Sequence, residues 1–203
     1  MAILVAPTGW LKLLDSGVPT AFSHASAVTD LAGTEATGVT RQATAWAAAA
    51  SNNKATNAGL TIPVGAANNV IGVGLFDAAT AGNLTGIAAI GTAAQLYGVG
   101  TVLASSDVIT SNAHGLANAD RIAVGAAANE ALPTGLSATT LYFVVGSTTN
   151  TFQLSLTSGG AAVDVTTDGE LFWMRTVVQA FTLSGNLTVA SGQLTIVGKA
   201  LGS

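Results

Sequence analysis

The sequence predicts an all-β protein that begins with one short helix, and three observations support this fold class. Short runs in which apolar and polar residues alternate recur along the chain, as in residues 181–197, and this period of two is typical of strands with one buried face. Gly, Asn, Ser or Pro separates these runs. Between residues 97 and 173 they recur about every ten residues, which is the spacing of a small barrel or sandwich.

The N-terminal segment contains the one predicted helix. In residues 8–16 the apolar side chains fall near one stripe, and Thr8 is in position to cap the first turn. Residues 22–38 are broken by Ser, Thr, Gly and Asp, and they show no sustained period. We expect them to form a long loop or an N-terminal arm that packs on another surface.

Four strands are predicted for the next part of the chain, at residues 39–48, 60–64, 70–78 and 84–91. Trp46 and Phe76 are the predicted core anchors of this region. Gly72 and Gly74 share one face of their strand, so a bulky neighbour such as Trp46 is expected to lie against the backbone there.

The middle of the chain has more closely spaced strand-like runs than the segments before and after it, which predicts a second domain. Seven or so short strands follow between Tyr97 and Trp173, and the earlier pattern resumes after Arg175. We therefore predict a jelly-roll-like β-sandwich host domain with an N-terminal arm, formed by residues 1–94 and 176–203. Residues 95–175 would be a small β-barrel or sandwich inserted into it, an arrangement that exposed loop tips tolerate.

Charged residues are scarce. Six Lys and Arg and ten Asp and Glu make up 8% of the chain, against roughly 25% in an average soluble domain. The cations are scattered, so no nucleic-acid partner is predicted. The absence of Cys excludes disulfides and thiolate metal sites, no apolar stretch is long enough for a membrane helix, and the N-terminus does not resemble a secretory signal. We expect neighbouring subunits to cover part of so uncharged a surface.

Few residues are candidates for chemistry. His114 precedes Gly115 in a predicted turn, where bonding to a backbone group is favoured over catalysis or metal binding. Asp164, Asp168 and Glu170 are candidate calcium ligands. Their spacing differs from that of an EF-hand loop, and a hairpin tip with an Asp-Gly turn explains them without an ion. The sequence therefore predicts no catalytic residue, metal or cofactor, and a protein that is not an enzyme.

Three aromatic residues are candidates for contacts with a glycan. Tyr97, Tyr142 and Trp173 would stack on sugar rings if their faces were exposed. Trp173 lies where the predicted insertion returns to the host domain, so packing between the two domains is the simplest alternative for it.

The predicted host domain carries a recurring pattern. It comprises an R-Q-A-x-x-W strand, a strand ending in P-x-G, an I-G-x-x-x-x-D-A-A-T-x-G segment and closing paired strands, at residues 41–46, 63–65, 71–82 and 181–196. Over residues 37–93 and 176–203 this pattern resembles a family of small virion proteins of actinobacterial tailed phages, described as tail-fibre-like or minor structural proteins. The resemblance implies a structural role in a virion.

The predicted insertion carries a second pattern. Its parts are H-G-L-x-x-x-D-x-[IV], L-P-x-G-L, Y-[YF]-V-V and T-F-Q-L-S, at residues 114–122, 132–136, 142–145 and 151–155. This pattern resembles a β-module that recurs inside phage tail and baseplate-associated proteins. It implies a virion protein without placing it on the head or the tail.

These observations together predict a bacteriophage virion structural protein, assembled in the host cytoplasm. We expect a capsid decoration or minor capsid protein on the head surface, because the chain is short, lacks the heptads of a fibre shaft and has the predicted arm. A tail-fibre or tail-tip protein, possibly glycan-binding, is the alternative. The expected partners are other virion proteins, such as the major capsid protein or tail proteins, and copies of the chain itself. Trimers are expected by analogy with other phage proteins.

Overall fold

The computed structural model of the chain describes residues 2–5, 22–47, 53–90, 97–127 and 130–197. These residues form strands and no α-helix, so the all-β class is confirmed, and the predicted helix at residues 8–16 lies outside them. No helix in the described ranges is long and apolar enough to cross a membrane.

The described strands are numbered in chain order. The first eight are β1 (Ala2–Val5), β2 (His24–Val28), β3 (Gln42–Ala43), β4 (Asn53–Ala55), β5 (Leu60–Val64), β6 (Asn68–Val70), β7 (Gly72–Phe76) and β8 (Leu84–Ala89). The next six are β9 (Tyr97–Leu103), β10 (Val108–Thr110), β11 (Arg121–Ala126), β12 (Leu141–Val145), β13 (Thr151–Ser155) and β14 (Gly169–Arg175). The last three are β15 (Gln179–Phe181), β16 (Gly185–Val189) and β17 (Leu194–Val197).

The chain divides into two compact units. The first, called the sandwich unit, comprises Met1–Thr29, Gly33–Ala93 and Val178–Ser203. The second, called the barrel unit, comprises Asp30–Ala32 and Ala94–Val177. Apart from the short Asp30–Ala32 segment, the barrel unit is one continuous stretch between two parts of the sandwich unit.

The sandwich unit is built from one large sheet and two ribbons. The large sheet has the strand order β3-β2-β7-β8-β1-β17-β4, and the ribbons pair β15 with β6 and β16 with β5. Apolar side chains from both layers form a single buried cluster, with Ala27 and Leu75 from the sheet and Ile62, Val64 and Leu187 from the ribbons. This shared core confirms the β-sandwich character.

Both predicted core anchors are buried in this unit. Trp46 packs edge-on against Phe22, with 6.4 Å between ring centroids, and its indole Nε1 donates to the Phe22 carbonyl at 3.0 Å. The hydrogen bond lets the polar end of a buried tryptophan keep a partner. Phe76 carries the Arg41 guanidinium over its ring, 3.7 Å from the centroid.

The structure differs from the prediction in the first half of this unit. The loop or arm predicted for residues 22–38 is wrong for residues 24–28, because these form β2 inside the large sheet between β3 and β7; residues 29–38 form turns with one bridge, at Glu35. The predicted strand at residues 39–48 is reduced to the two residues of β3 and an isolated bridge at Trp46. The β2 strand is buried on both faces by small residues, so it lacks the alternation that marks a half-buried strand.

The two glycines of β7 do not receive Trp46. A side chain at Gly72 would meet the Ala88 carbonyl, and one at Gly74 would meet Val28 and Phe76. The lack of side chains at Gly72 and Gly74 therefore leaves space for the neighbouring strands β8 and β2 and for Phe76 of β7 itself.

The barrel unit is a closed barrel with the strand order β10-β13-β12-β11-β14-β9, in which β9 also pairs with β10. Inward side chains fill it, and the largest buried ones are Trp173, Phe152, Ile109, Ile122 and Leu171. This closure confirms the predicted small barrel.

One predicted strand of the barrel is absent. Residues 162–167 form no strand, and the partners of their amides do not follow one neighbouring strand. The Val163 amide donates to the Leu154 carbonyl at 2.7 Å, and the Val165 amide donates to Asp107 Oδ1 at 2.8 Å. The backbone is thus satisfied without a seventh strand, although the sequence alternates there.

Candidate interaction surface

His114 serves the barrel structure. It is 4% exposed, its Nδ1 accepts the Leu116 amide at 2.9 Å, and its Nε2 donates to the Thr151 carbonyl at 3.3 Å. Its ring packs edge-on against Phe152 and Trp173, with centroid distances of 5.0 and 6.4 Å. Both ring nitrogens bond to backbone groups, as expected for a histidine that shapes a turn.

Asp168 and Glu170, two of the candidate calcium ligands, take part in separate hydrogen bonds. Asp168 is exposed, and its Oδ1 accepts the Ala104 amide at 2.7 Å. It is therefore not the tip of a hairpin, because Gly169 already begins β14. The Glu170 amide donates to Glu130 Oε2 at 3.0 Å. The described ranges contain no group of three or more His, Cys, Asp or Glu arranged to hold a metal ion.

Two of the three candidate glycan contacts are inside the barrel. Tyr142 and Trp173 are each 2% exposed, so neither presents a ring face to a sugar. The Tyr142 hydroxyl accepts the Ser137 amide at 2.9 Å, and Trp173 Nε1 donates to Ser111 Oγ at 3.1 Å. Trp173 thus belongs to the barrel core, in place of the predicted packing between domains.

Tyr97 remains exposed, and it lies on an uncharged surface of the barrel. This surface, called the β9 face, consists of the outward side chains of β9 and β10, which are Tyr97, Val99, Thr101, Leu103, Val108 and Thr110. Tyr97 is 46% exposed, and Val99 and Leu103 are each 53% exposed. These three are half of the large apolar residues found exposed in the described part of the chain.

Glycines on the inner side of β9 produce this arrangement. A side chain at Gly98 would lie 2.9 Å from the Trp173 ring, and one at Gly100 would lie 2.6 Å from Ile109. The core residues therefore pack directly against the β9 backbone, and the bulky side chains of the strand point outward. Ser111 Oγ donates to the Val99 carbonyl at 2.9 Å and links this strand to the buried Trp173.

The charged neighbours of the β9 face are all acidic. Thr101 pairs with Thr110 on β10 and with Glu170 on β14, while Val99 pairs with the half-buried Phe172. Glu170 is the one ionisable residue among the register partners of β9. The face is thus an apolar and hydroxyl-bearing strip bordered by carboxylates, with Glu170 beside Thr101 and with Asp168 and Asp107 at the end where Leu103 and Val108 lie.

The strongest described charge interaction lies in the sandwich unit. Arg41 donates to both carboxylate oxygens of Glu35, at 3.0 and 2.8 Å, and to the Ala78 carbonyl at 2.9 Å. These hydrogen bonds from Arg41 hold the pKa of Glu35 below its usual value. The pair fixes a turn beside Phe76, which is a structural role.

No protein-family model, curated protein or solved structure matches the chain. The resemblance of its two patterns to phage virion proteins therefore stays a prediction.

Sequence reasoning selected Tyr97 but missed Val99 and Leu103. The signal for them was the order Tyr-Gly-Val-Gly-Thr-Val-Leu, in which glycines alternate with bulky residues. Such a strand places its glycine side against the core when large core residues need the space.

Proposed function

We propose that the chain is a non-enzymatic structural subunit of a bacteriophage virion, bound on the head surface as a capsid decoration or minor capsid protein. The observation that supports this most is the β9 face, an exposed apolar strip on a chain in which 8% of residues are charged. A contact with another protein would remove this apolar surface from water, which is favourable. The resemblance of the sequence to virion proteins supplies the class of assembly.

The role follows from contacts repeated by symmetry. Each uncharged contact is weak, but many copies on one particle bind together, and avidity replaces individual affinity. Two of the residues that suggested chemistry have structural contacts, since His114 Nδ1 and Asp168 Oδ1 each accept a backbone amide. The predicted arm lends no support to the head surface, because residues 24–28 within it form an interior strand of the large sheet.

The number of copies per particle tests the proposal. Purified virions are separated on a denaturing gel, and the stained band of this chain is compared with that of the major capsid protein. We expect hundreds of copies per virion. A band that corresponds to only a few copies per virion would favour a location in the tail. Absence of the chain from purified particles would refute the structural role.

A tail-fibre or tail-tip protein is the second candidate. The observation that favours it is the barrel itself, because the pattern that resembles phage tail modules covers β12 and β13 and the start of β11. Glycan binding would have to depend on Tyr97, since Tyr142 and Trp173 are buried. Antibody labelling of intact particles separates the two positions: gold on the head supports decoration, and gold confined to the tail end supports the alternative.

A further inference from the structure

The strand β1 joins two parts of the large sheet. It pairs antiparallel with β8, where Leu4 lies opposite Ala88, and parallel with β17, where Ala2 lies opposite Leu194. In the strand order of the sheet, β1 stands alone between β8 and β17. If β1 left, the strands β3, β2, β7 and β8 would be separated from β17 and β4 by a gap one strand wide.

We infer that this gap, called the β1 slot, takes residues 2–5 of a second copy, so that neighbouring copies exchange their β1 strands. The slot itself identifies the occupant, because the strand that fills it is the segment Ala-Ile-Leu-Val of this chain. The same segment of another copy is chemically identical and makes the same pairs with β8 and β17. Exchange of an identical element between copies therefore loses no contact.

The β1 strand is held by few backbone pairs. Its register contains two opposed pairs with β8 and two with β17. By contrast, β7 has five opposed pairs with β2 and five with β8. A segment with fewer contacts opens at a smaller cost in free energy than the rest of a sheet. We therefore expect β1 to leave the large sheet more readily than β7 does.

The connection that follows β1 is long enough to reach a neighbouring copy. Within one copy, β8 and β7 separate β1 from β2, so three strand spacings of about 4.8 Å place them roughly 14 Å apart. Residues 6–21 link these two strands, and a fully extended chain of that length spans up to about 55 Å. This length allows β1 to fill the slot of its own copy or that of an adjacent one.

The local concentration of copies decides which slot is filled. A peptide tether typically gives the attached segment an effective concentration of about 1 mM at its own site. In dilute solution β1 should therefore stay in its own copy. Copies packed side by side offer their slots to each other at a similar concentration, so exchange then competes. The inference rests on the proposed structural role for this packed setting alone.

Cysteines placed on separate chains test the exchange, because the sequence contains none. One chain carries Leu4→Cys, and a second chain with a tag of different mass carries Ala88→Cys. Opposed residues of an antiparallel pair have Cα atoms about 4.5–5.5 Å apart, a distance that a disulfide bridges. The two chains are mixed in urea, refolded together at about 1 mM and treated with oxidised glutathione. In the matched control, Leu183→Cys replaces Ala88→Cys, because Leu183 is 78% exposed and lies outside the slot.

We expect at least about tenfold more mixed disulfide between Leu4→Cys and Ala88→Cys than between Leu4→Cys and Leu183→Cys. Val5→Cys with Ile87→Cys is a second opposed pair that should behave alike, and circular dichroism confirms that each variant folds. A single chain with both Leu4→Cys and Ala88→Cys, oxidised at about 1 μM, should form the bond within itself.

Equal yields of the mixed disulfides in the test and the control overturn the inference. A folded double variant that forms no bond within itself overturns the slot on which the inference depends. Because purified chains are used, the result does not depend on the presence of the chain in virions. Exchange by a chain that is absent from virions would refute only the virion role, and a virion chain without exchange would refute only this inference.

Discussion

Replacing His114 by Phe separates its hydrogen bond from its packing. Phe keeps a ring against Phe152 and Trp173 but removes the nitrogen that accepts the Leu116 amide. Leu116 is 6% exposed, so its N–H loses its partner in a place that water hardly reaches. An unsatisfied buried donor costs about 1–3 kcal/mol of stability.

The reverse substitution is His114→Asn. Its side-chain oxygen is able to accept the same amide, but the ring contacts are lost, and we expect a cost of about 2 kcal/mol from the smaller side chain. Asn112→Ala is the control, because Asn112 is exposed in the same loop and should change stability by less than about 0.5 kcal/mol.

Urea denaturation followed by tryptophan fluorescence measures these effects. A background with Trp10→Phe and Trp46→Phe leaves Trp173, inside the barrel, as the reporter. A loss of about 2 kcal/mol lowers the midpoint by roughly 1 M urea. If His114→Phe unfolds at the same urea concentration as its parent, the Leu116 amide does not depend on His114 and the reasoning is refuted.

Three further substitutions test the fold. Hydrogen bonds from Arg41 lower the folded-state pKa of Glu35, so the stability they add is present above the ordinary glutamate pKa and disappears as pH falls through the lowered value. In Arg41→Met, the free energy of unfolding measured against pH should therefore fall less steeply at acid pH. Gly135→Ala should cost more than about 2 kcal/mol in urea denaturation, since φ is +102° and the new carbon overlaps the Asp164 carbonyl. Ala119→Gly should add about 0.5–1 kcal/mol, because Ala119 has φ of +73°; an unchanged midpoint would mean that this backbone is not strained.

The barrel was the part of the fold that sequence predicted best. Thr151–Ser155 alternates large apolar residues with polar ones, and a period of two is enough to locate such a strand. Leu141–Val145 is apolar throughout, and its aromatic and β-branched residues between turn residues locate it. The β2 strand was missed because Ala25, Ser26 and Ala27 are small and all fully buried, so nothing alternates. The predicted strand at residues 162–167 alternates, but its amides bond to separate groups of Leu154, Asp107 and Thr134 and form no continuous ladder.

The candidate surface was harder to predict than the strands. A period of two separates a strand into two faces without telling which face the closed barrel encloses. Tyr142 and Trp173 face inward, whereas Tyr97 faces outward on a strand whose other side is glycine. Which face of β9 points inward depends on the volume of side chains from other strands, such as Ile109 against Gly100. The residues of β9 alone carry no information about that volume.

The central claim is that the chain is part of a particle and is held there through uncharged contacts. The most direct measurement is the fraction of the chain that sediments with purified virions from about 50 mM to about 500 mM NaCl. The account predicts that this fraction changes little, since few ion pairs are available to be screened. Steep release with rising salt, or no chain in the particles at any salt concentration, would contradict it.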